Sequence, residues 1–316
     1  MRVAVLKGGR SLERGVSLRS GARVEDAAER LGHEVIPLDV GSDLVSRLSS
    51  ERPDVAFIAL HGPGGEDGTV QELLEILDIP YTGPGVAACV RCMDKMLAKH
   101  ELRAVDVPTP DWVAFNDTAF RELGAADALE QIEGRLGFPL VVKPASQGSS
   151  LGVRFAAERS QVPAALVSAF SYDDRVLLER YVDGRELAVS VLGSDPLPIV
   201  EAIPRQGDRF DFEARYEIGR TQYVCPAQID PASADLVQDA ALRAYSVLGC
   251  SGFARVDLIL GSEGPQVLEV NAVPGLTDTS LLPQAAEAVG LSFEQLVERV
   301  LDLATKRSGD TASLPG

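Results

Sequence analysis

The 316-residue sequence has no long apolar run and little positive charge. No apolar run approaches the ~18 residues that a membrane-spanning helix needs, so we expect no membrane partner. Lysine and arginine number 30 against 47 aspartates and glutamates, which gives a formal charge of −17. This charge argues against nucleic acid as a partner, because its phosphate backbone is also negative. The chain begins with a strand-like run, MRVAVLKGG, without a signal-peptide pattern, and we expect a cytoplasmic location.

Cysteine is also scarce, with four residues in the chain. Cys89 and Cys92 have CxxC spacing, but neither a second CxxC nor a histidine pair completes a zinc site. Both fall within the helical pattern VAACVRCMDKMLAKH (86–100), where thiols behave as small apolar side chains. The sequence therefore predicts structural thiols in a reducing compartment.

Two common nucleotide-binding fingerprints are missing, namely GxxxxGK[ST] and GxGxxG. The segment FPLVVKPASQGSSLGV (138–153) offers a different phosphate site, because an apolar strand ends at Lys143 and a small, polar loop follows. Backbone amides and hydroxyls of such a loop can surround an anion. The alternative is a β-hairpin with a glycine-containing turn, and this segment alone does not distinguish the two.

Strand and helix patterns alternate through the first 88 residues, which predicts parallel βαβ units with ligands at the carboxyl ends of the strands. The predicted elements are strands 3–6, 34–38 and 55–60 and a helix over 16–31. Glu13 lies in the loop after the first strand, where it suits a cationic substrate group. His61 directly follows the third strand, although a lone histidine is more often structural.

A proline-rich linker at 107–110 introduces a second unit that extends to about residue 180. Its patterns predict helices over 125–136 and 162–170 and a strand over 175–179. The sequence ERYV (179–182), followed by Glu186, can supply an apolar slot for adenine and an acceptor for ribose. On this stretch alone, the favoured alternative is a pair of solvated carboxylates that flank an Asp-Gly turn.

A predicted hairpin over 253–271 carries the most informative side chains. Strand alternation places Arg255 and Asp257 on one face, and Glu269 with Asn271 on one face of the returning strand. Hard oxygen ligands in this arrangement suit Mg²⁺. A hairpin with its polar face in water is less favoured, since asparagine is depleted in strands and like charges on adjacent strands repel.

The segment after this hairpin predicts an anion-binding position. Pro274-Gly275 breaks the strand, and residues 277–280 are expected to cap a helix that begins near Leu281. The start of that helix and the nearby Gly275 amide both favour anions. Before the hairpin, the irregular and aromatic stretch 204–225 predicts a lid or binding loop.

Six segments, in this order, resemble the D-alanine–D-alanine ligases of the ATP-grasp superfamily. They are SLERGVSLRSG (11–21), HGPGGEDGTVQ (61–71), FPLVVKPASQGSSLGV (138–153), LLERYVDGRELAVSVL (177–192), FEARY with TQYVCPA (212–227), and GFARVDLIL with VLEVNAVPGLTDTSLLP (252–283). The resemblance implies an α/β fold, α+β overall, of the ATP-grasp type with three subdomains. These are a Rossmann-like N-terminal subdomain (1–88), a central subdomain (89–180) and a catalytic, metal-binding C-terminal subdomain (181–316).

The resemblance also implies roles in substrate binding and catalysis. Glu13 would pair with the ammonium of the first D-alanine and form a network with Ser149 and Tyr216. Arg255 and the Gly275 amide would stabilise the oxyanion. The remaining substrate contacts would be His61 at the first carboxylate and Ser280 and Leu281 at the second.

Nucleotide and metal contacts are implied in the same way. The nucleotide residues would be Lys95, Lys143, Gln147, Gly148, Ser149, Ser150, Glu179, Arg180, Tyr181, Val182, Glu186 and Arg215. Two Mg²⁺ or Mn²⁺ ions would be held by Asp257, Glu269 and Asn271. The implied reaction consumes ATP, passes through an acyl phosphate and supplies D-alanyl-D-alanine for peptidoglycan precursors, in a cytoplasmic homodimer.

Four positions depart from the family's usual pattern, and two of them, Gly15 and Thr279, leave the preference for the second substrate open. These positions are Gly15, Gln147, Arg215 and Thr279. Related ligases join D-alanine to D-lactate or D-serine and differ in the lid loop, where Tyr216 favours the D-alanine type. A nucleotide-binding regulator without turnover is the alternative from another class, but it would not need an oxyanion donor such as Arg255.

Overall fold

The computed structural model describes residues 1–124, 128–204 and 221–311, and its strands form three sheets. The strands are β1 (Arg2–Lys7), β2 (Glu34–Asp39), β3 (Val55–Ile58), β4 (Trp112–Asn116), β5 (Leu140–Pro144), β6 (Arg154–Ala156), β7 (Arg175–Arg180), β8 (Gly184–Leu192), β9 (Asp195–Pro196), β10 (Val200–Pro204), β11 (Thr221–Val224), β12 (Phe253–Gly261) and β13 (Gly264–Asn271).

Helices cover the sheets and connect their strands. They are α1 (Arg14–Arg30), α2 (Leu44–Glu51), α3 (Thr69–Ile76), α4 (Val86–Met93), α5 (Lys95–Ala104), α6 (Asp117–Arg121), α7 (Leu129–Leu136), α8 (Val162–Phe170), α9 (Pro231–Val247), α10 (Leu281–Ala288) and α11 (Phe293–Thr311). Within the described ranges, no helix combines the length and apolar character that crossing a bilayer requires.

The N-terminal sheet is parallel, with strand order β2-β1-β3. The apolar runs of β1 and β3 are completely buried, as is usual for parallel strands that are covered on both faces. The predicted βαβ pattern is therefore confirmed. The loops that follow β1 and β3 consequently lie at the same edge of this sheet.

The central sheet has the order β4-β7-β5-β6 and is antiparallel. Strands β5 and β6 form a hairpin whose connection, residues 145–153, is called here the glycine loop. Helix α8 covers this sheet with a buried stripe formed by Val162, Ala165, Leu166 and Ala169. This helical spacing places the four side chains on one face, which packs into a core that belongs to the central unit.

The third sheet has the order β11-β10-β8-β12-β13, with β9 added on β8. Helix α9 packs on it through a buried face of Val237, Ala240, Ala241 and Ala244. This core is continuous with that of the N-terminal sheet, so these two units share one large core. The 272–280 loop leaves β13 and leads into α10.

The helical pattern over 86–100 forms two helices instead of the single helix that we predicted. Asp94 ends α4 with an extended backbone, and its Oδ1 accepts hydrogen bonds from the amides of Met96 and Leu97 at the start of α5. A side chain that caps so efficiently favours a new helix over continuation of the old one. Cys89 and Cys92 are buried in the large core and form no disulfide, as expected of structural thiols.

Candidate active site

Two loops from different sheets meet at Glu13, a buried residue directly before α1. Glu13 Oε2 accepts a hydrogen bond from Ser149 Oγ in the glycine loop. A Cβ on Gly148 would lie 2.6 Å from Glu13 Oε1, so the two loops approach each other closely at this glycine. The structure thus places Glu13 against Ser149 as predicted, whereas Tyr216 lies outside the described residues.

His61 is buried after β3 and connects several elements. Its Nε2 lies 3.0 Å from Ser20 Oγ in α1, and its Nδ1 lies 3.2 Å from both Glu66 Oε1 and Val273 O. The ring therefore joins α1 to the 272–280 loop. It also lines a cavity of about 440 Å³ at the carboxyl ends of the N-terminal strands.

The 272–280 loop lies against α1, where Arg23 Nη1 donates to Leu276 O at 2.6 Å. Ser280 is the N-cap residue of α10, as predicted, but its side chain makes no cap hydrogen bond, so that part of the prediction is wrong. Instead, Ser280 Oγ accepts from Thr277 N at 2.9 Å, within the loop. A Cβ on Gly275 would lie 2.8 Å from this Oγ, so the loop folds closely back on itself at this glycine.

Lys95 begins α5, and its buried side chain joins the glycine loop to β13. Lys95 Nζ donates to Gln147 O at 2.6 Å and lies 3.2 Å from Glu269 Oε2. Gln147 is held a second time, because its Nε2 donates to Tyr172 O at 2.9 Å. A movement of the glycine loop would therefore change the contact between Lys95 and Gln147.

Glu179 on β7 lies between two lysines, and all three side chains are buried. Lys143 Nζ, from the adjacent strand β5, donates to Glu179 Oε1 at 2.7 Å, while Lys99 Nζ, from α5, lies 2.6 Å from Oε2. Burial opposes ionisation of this carboxyl group, but the charges of Lys143 and Lys99 outweigh burial and hold the pKa of Glu179 below its usual range. These residues are called here the lysine–glutamate cluster.

Strands β12 and β13 bring the predicted metal and oxyanion residues together. Their register pairs Arg255 with Asn271 and Asp257 with Glu269. Arg255 donates to Asp257 through Nε at 2.6 Å and Nη2 at 2.8 Å, and Asn271 Nδ2 donates to Asp257 Oδ2 at 3.1 Å. Bidentate contacts of this kind fix the orientation of both side chains.

The side chains of this hairpin suit a divalent cation whose remaining ligands come from water or a substrate. Asp257, Glu269 and Asn271 provide two carboxylates and an amide oxygen, which are the hard ligands that Mg²⁺ prefers. Across the part of the chain that the structure describes, no three His, Cys, Asp or Glu side chains come close enough to hold a metal. The ligand set would therefore be completed by Asn271, water or phosphate oxygens.

The central and third sheets line one cleft. The predicted nucleotide residues that line it are Lys95, Lys143, Gln147, Ser150, Glu179, Arg180, Val182 and Glu186, together with the metal residue Glu269. Tyr181 lies close by, with its ring 6.0 Å from that of Phe155, another lining residue. The cavity measures about 110 Å³, below the roughly 300–1,000 Å³ of most ligand sites, so the cleft would have to widen to admit a nucleotide.

The remaining predicted nucleotide residues are Gly148, Ser149 and Arg215, of which Ser149 contacts Glu13 as described above. Gly148 lines a separate, smaller pocket together with Lys95 and Glu269. Arg215 lies outside the described residues, as does the part 205–220 of the predicted irregular segment, whereas the end of that segment forms strand β11 and not a loop. Sequence reasoning missed Lys99, although it is spaced four residues from Lys95 and so shares a face of α5.

A parallel sheet followed by two antiparallel sheets that enclose a lysine- and carboxylate-lined cleft is the architecture of ATP-grasp proteins. Two family models match the chain, "D-ala D-ala ligase N-terminus" over residues 42–84 and "D-ala D-ala ligase C-terminus" over residues 102–302. The chain therefore belongs to the D-alanine–D-alanine ligase family.

Relatives and solved structures agree with this assignment. The D-alanine–D-alanine ligase of a Synechococcus species is 45% identical over 100% of this chain and 97% of its own length. The crystal structure of the D-alanine–D-alanine ligase from Bacillus anthracis superposes with a TM-score of 0.85 at 32% identity, covering 98% of this chain and 99% of that one. The VanG D-Ala:D-Ser ligase from Enterococcus faecalis gives 0.80 at 29% identity, with 96% and 99% covered.

Proposed function

We propose that this protein joins two D-alanines into D-alanyl-D-alanine and converts ATP to ADP and phosphate. The observation that carries the proposal is the cleft in which Lys95 and Lys143 approach the Asp257–Glu269 hairpin. Similarity to a solved D-alanine–D-alanine ligase complexed with ATP supports ATP as the nucleotide, with a TM-score of 0.84.

In the first step, the carboxylate of one D-alanine attacks the γ-phosphorus of ATP, which forms an acyl phosphate and releases ADP. Glu13 would hold the ammonium of this D-alanine, and His61 would lie near its carboxylate. Lys95 and Lys143 would hold the phosphates, since phosphoryl transfer depends mainly on positioning and on stabilisation of charge.

The hairpin would hold two Mg²⁺ or Mn²⁺ ions through Asp257, Glu269 and Asn271. Bound there, the ions would neutralise charge on the phosphate oxygens. In the structure, Arg255 and Lys95 lie against these carboxylates, so protein cations already neutralise part of their charge.

In the second step, the amine of the other D-alanine attacks the activated carbonyl group and releases phosphate. Ser280 and Leu281, at the start of α10, would bind its carboxylate. Arg255 and the Gly275 amide would donate to the oxyanion. Donors that are already in place stabilise the transition state strongly, because they need not reorganise during the reaction.

The acyl phosphate must be kept from water until the amine arrives. The contact between Glu13 and Ser149 joins the N-terminal unit to the glycine loop and would close one side of the site. We propose that Tyr216 completes this closure.

The test is to incubate the protein with ATP, Mg²⁺ and D-alanine and to detect the products by mass spectrometry. We expect D-alanyl-D-alanine and ADP in equal amounts. Formation of ADP without any dipeptide, or no turnover at all, would contradict the proposal.

The similarity to a D-Ala:D-Ser ligase makes the second substrate a separate question. Competition between equal concentrations of D-alanine, D-serine and D-lactate answers it, and we expect D-alanyl-D-alanine to predominate. If the main product contains D-serine or D-lactate, that compound is the second substrate. Thr279 and Gly15 would then be the first residues to mutate in a search for the cause.

The setting of the reaction is proposed on the same basis. A cytoplasmic homodimer that supplies peptidoglycan precursors is what the family implies. Light scattering after gel filtration should give twice the 33.6 kDa of the chain. A mass equal to one chain would contradict the dimer without affecting the proposed chemistry.

A further inference from the structure

Lys99 is a buried cation to which the proposed reaction gives no role. Its side chain is 1% exposed, and its Nζ has three oxygen neighbours. These are Thr109 Oγ1 at 2.6 Å, Pro110 O at 3.3 Å and Glu179 Oε2 at 2.6 Å. The first two contacts are hydrogen bonds and the third is an ion pair, so all three of these neighbours of Lys99 come from the protein.

Lys143 differs from Lys99 in what surrounds its ammonium group. Among the residues that the structure describes, Glu179 Oε1 is the acceptor that contacts Lys143 Nζ. Lys143 also lines the cleft, which Lys99 does not reach. One carboxylate therefore faces two ammonium groups, and only Lys143 is placed to use its remaining hydrogens on a ligand.

We propose that Lys99 is a positioning residue that serves as the counter-ion of Glu179, so that Lys143 keeps a net positive charge for the phosphates of a nucleotide. With Lys99 in place, the cluster holds two positive charges and one negative charge. Without Lys99, Glu179 would neutralise Lys143, and the cluster would offer no charge to a polyanion. This inference rests on the proposed binding of phosphates at Lys143.

The connections of Lys99 support a positioning role. Thr109 Oγ1, which accepts from Lys99, donates in turn to Val267 O on β13 at 2.8 Å. The chain of contacts thus runs from Glu179 on the central sheet, through Lys99 and the linker, to the strand that carries Glu269. The hydrogen bond from Lys99 to Thr109, which is itself bonded to β13, holds the ammonium group in a fixed position beside Glu179. A fixed position is what a counter-ion of Glu179 requires.

The first test compares ATP and adenosine binding by calorimetry, without D-alanine, for the wild type and Lys99→Met. Methionine keeps the length of the buried side chain and removes its charge. We expect ATP affinity to fall about tenfold, the order expected from one unit charge near a partly desolvated site. Adenosine affinity should change less than threefold. Equal losses for both ligands would overturn the proposal.

A double variant separates charge from packing. In Lys99→Met/Glu179→Gln, Lys143 again carries an uncompensated charge, so the ratio of ATP affinity to adenosine affinity should recover to within about threefold of the wild-type ratio. This ratio cancels any loss of an adenine contact at Glu179, which lines the cleft. A further loss would mean that Lys99 acts only through structure and would contradict the proposal. Lys306→Met, on the exposed side of α11, removes the same formal charge from the chain and should leave ATP affinity unchanged.

Wild-type protein provides a readout that needs no variant. Burial lowers the pKa of Lys99 to about 8, with Glu179 opposing this shift and Lys143 and Arg103 adding to it. These are the charged groups that face Lys99 from β7, from β5 and from its own helix; Thr109 and Pro110 of the linker are uncharged. ATP affinity should therefore decline as the pH rises through about 8, whereas adenosine affinity should not.

The same decline in ATP affinity should be absent from Lys99→Met, and its persistence there would contradict the proposal. Because every readout is binding without turnover, the outcome is independent of the ligase assay. A protein that passes these tests but makes no dipeptide would contradict the proposed function alone.

Discussion

The two walls of the cleft neutralise buried charge in different ways. On the central sheet, one carboxylate, Glu179, faces Lys99 and Lys143, so positive charge is in excess. On the hairpin of the third sheet, two carboxylates face two cations, and the charges balance. These pairs are Asp257 with Arg255 and Glu269 with Lys95.

The difference indicates what each wall binds. An excess of positive charge in a desolvated setting favours a polyanion. Balanced pairs at the edge of the cleft can instead exchange a protein cation for a metal ion, because hard oxygen ligands lie beside them. Phosphates at Lys143 and divalent cations at the hairpin would therefore meet between the two walls, where Lys95 reaches Glu269.

The largest expected effect is at Arg255, on the balanced wall. Arg255→Ala should lower dipeptide formation about 100- to 1,000-fold through loss of an oxyanion donor, while ATP affinity stays within about threefold. Dipeptide detection and ATP calorimetry measure the two quantities. Arg255→Lys keeps a charge beside Asp257 but lacks the planar fork and should recover only part of the rate. Loss of ATP binding in Arg255→Ala would refute the assignment.

The next effect concerns metal at the same wall. Glu269→Gln should raise the Mg²⁺ concentration for half-maximal activity at least about tenfold, since a ligand oxygen loses its charge. A Mg²⁺ titration at saturating ATP measures this shift. Glu263→Gln, in the exposed turn of the same hairpin, is the matched control and should behave as wild type. An unchanged titration for Glu269→Gln would remove this residue from the metal site.

A smaller effect is expected where the glycine loop meets Glu13. Gly148→Ala places a Cβ 2.6 Å from Glu13 Oε1 and should separate the loop from the N-terminal unit. We expect the turnover rate to fall about tenfold, because closure excludes water. Gly134→Ala, in α7 where a Cβ meets no atom within 4 Å, is the control and should keep the wild-type rate. Equal rates for the two variants would contradict the closure role.

The smallest expected effect is on the free energy of unfolding, and it tests the buried charge of Lys99 on the central wall. Its pKa is lower in the folded state than in the unfolded chain, so the unfolded chain binds more protons between pH 8 and about 10.5. The stability of the wild type relative to Lys99→Met should therefore rise across that window and be lowest below pH 8. Denaturant unfolding at pH 7.5, 9 and 10 measures it, and a constant difference would contradict the assignment.

Local elements could be predicted because their patterns do not depend on distant partners. The helix over 162–170 and the hairpin over 253–271 follow from apolar spacing and strand alternation, and both are present. The segment 138–153 allowed two interpretations, and the structure shows a hairpin between β5 and β6 whose connection borders the cleft.

The remaining features depend on tertiary contacts that sequence patterns do not encode. Lys99 looks like an exposed helix residue until β7 brings Glu179 to it. Ser280 has the sequence of a helix cap, but the fold of the 272–280 loop places its hydroxyl at the amide of Thr277 instead. The break at Asp94 is instead local: its side chain caps α5 and interrupts a helical pattern that apolar spacing alone predicts to be continuous.

The most direct measurement follows oxygen in the reaction. D-alanine labelled with ¹⁸O in its carboxylate is incubated with ATP and Mg²⁺, and the released phosphate is analysed by mass spectrometry. If the cleft activates the carboxylate by phosphorylation, each phosphate carries one ¹⁸O atom. Unlabelled phosphate released together with dipeptide would contradict the acyl-phosphate route.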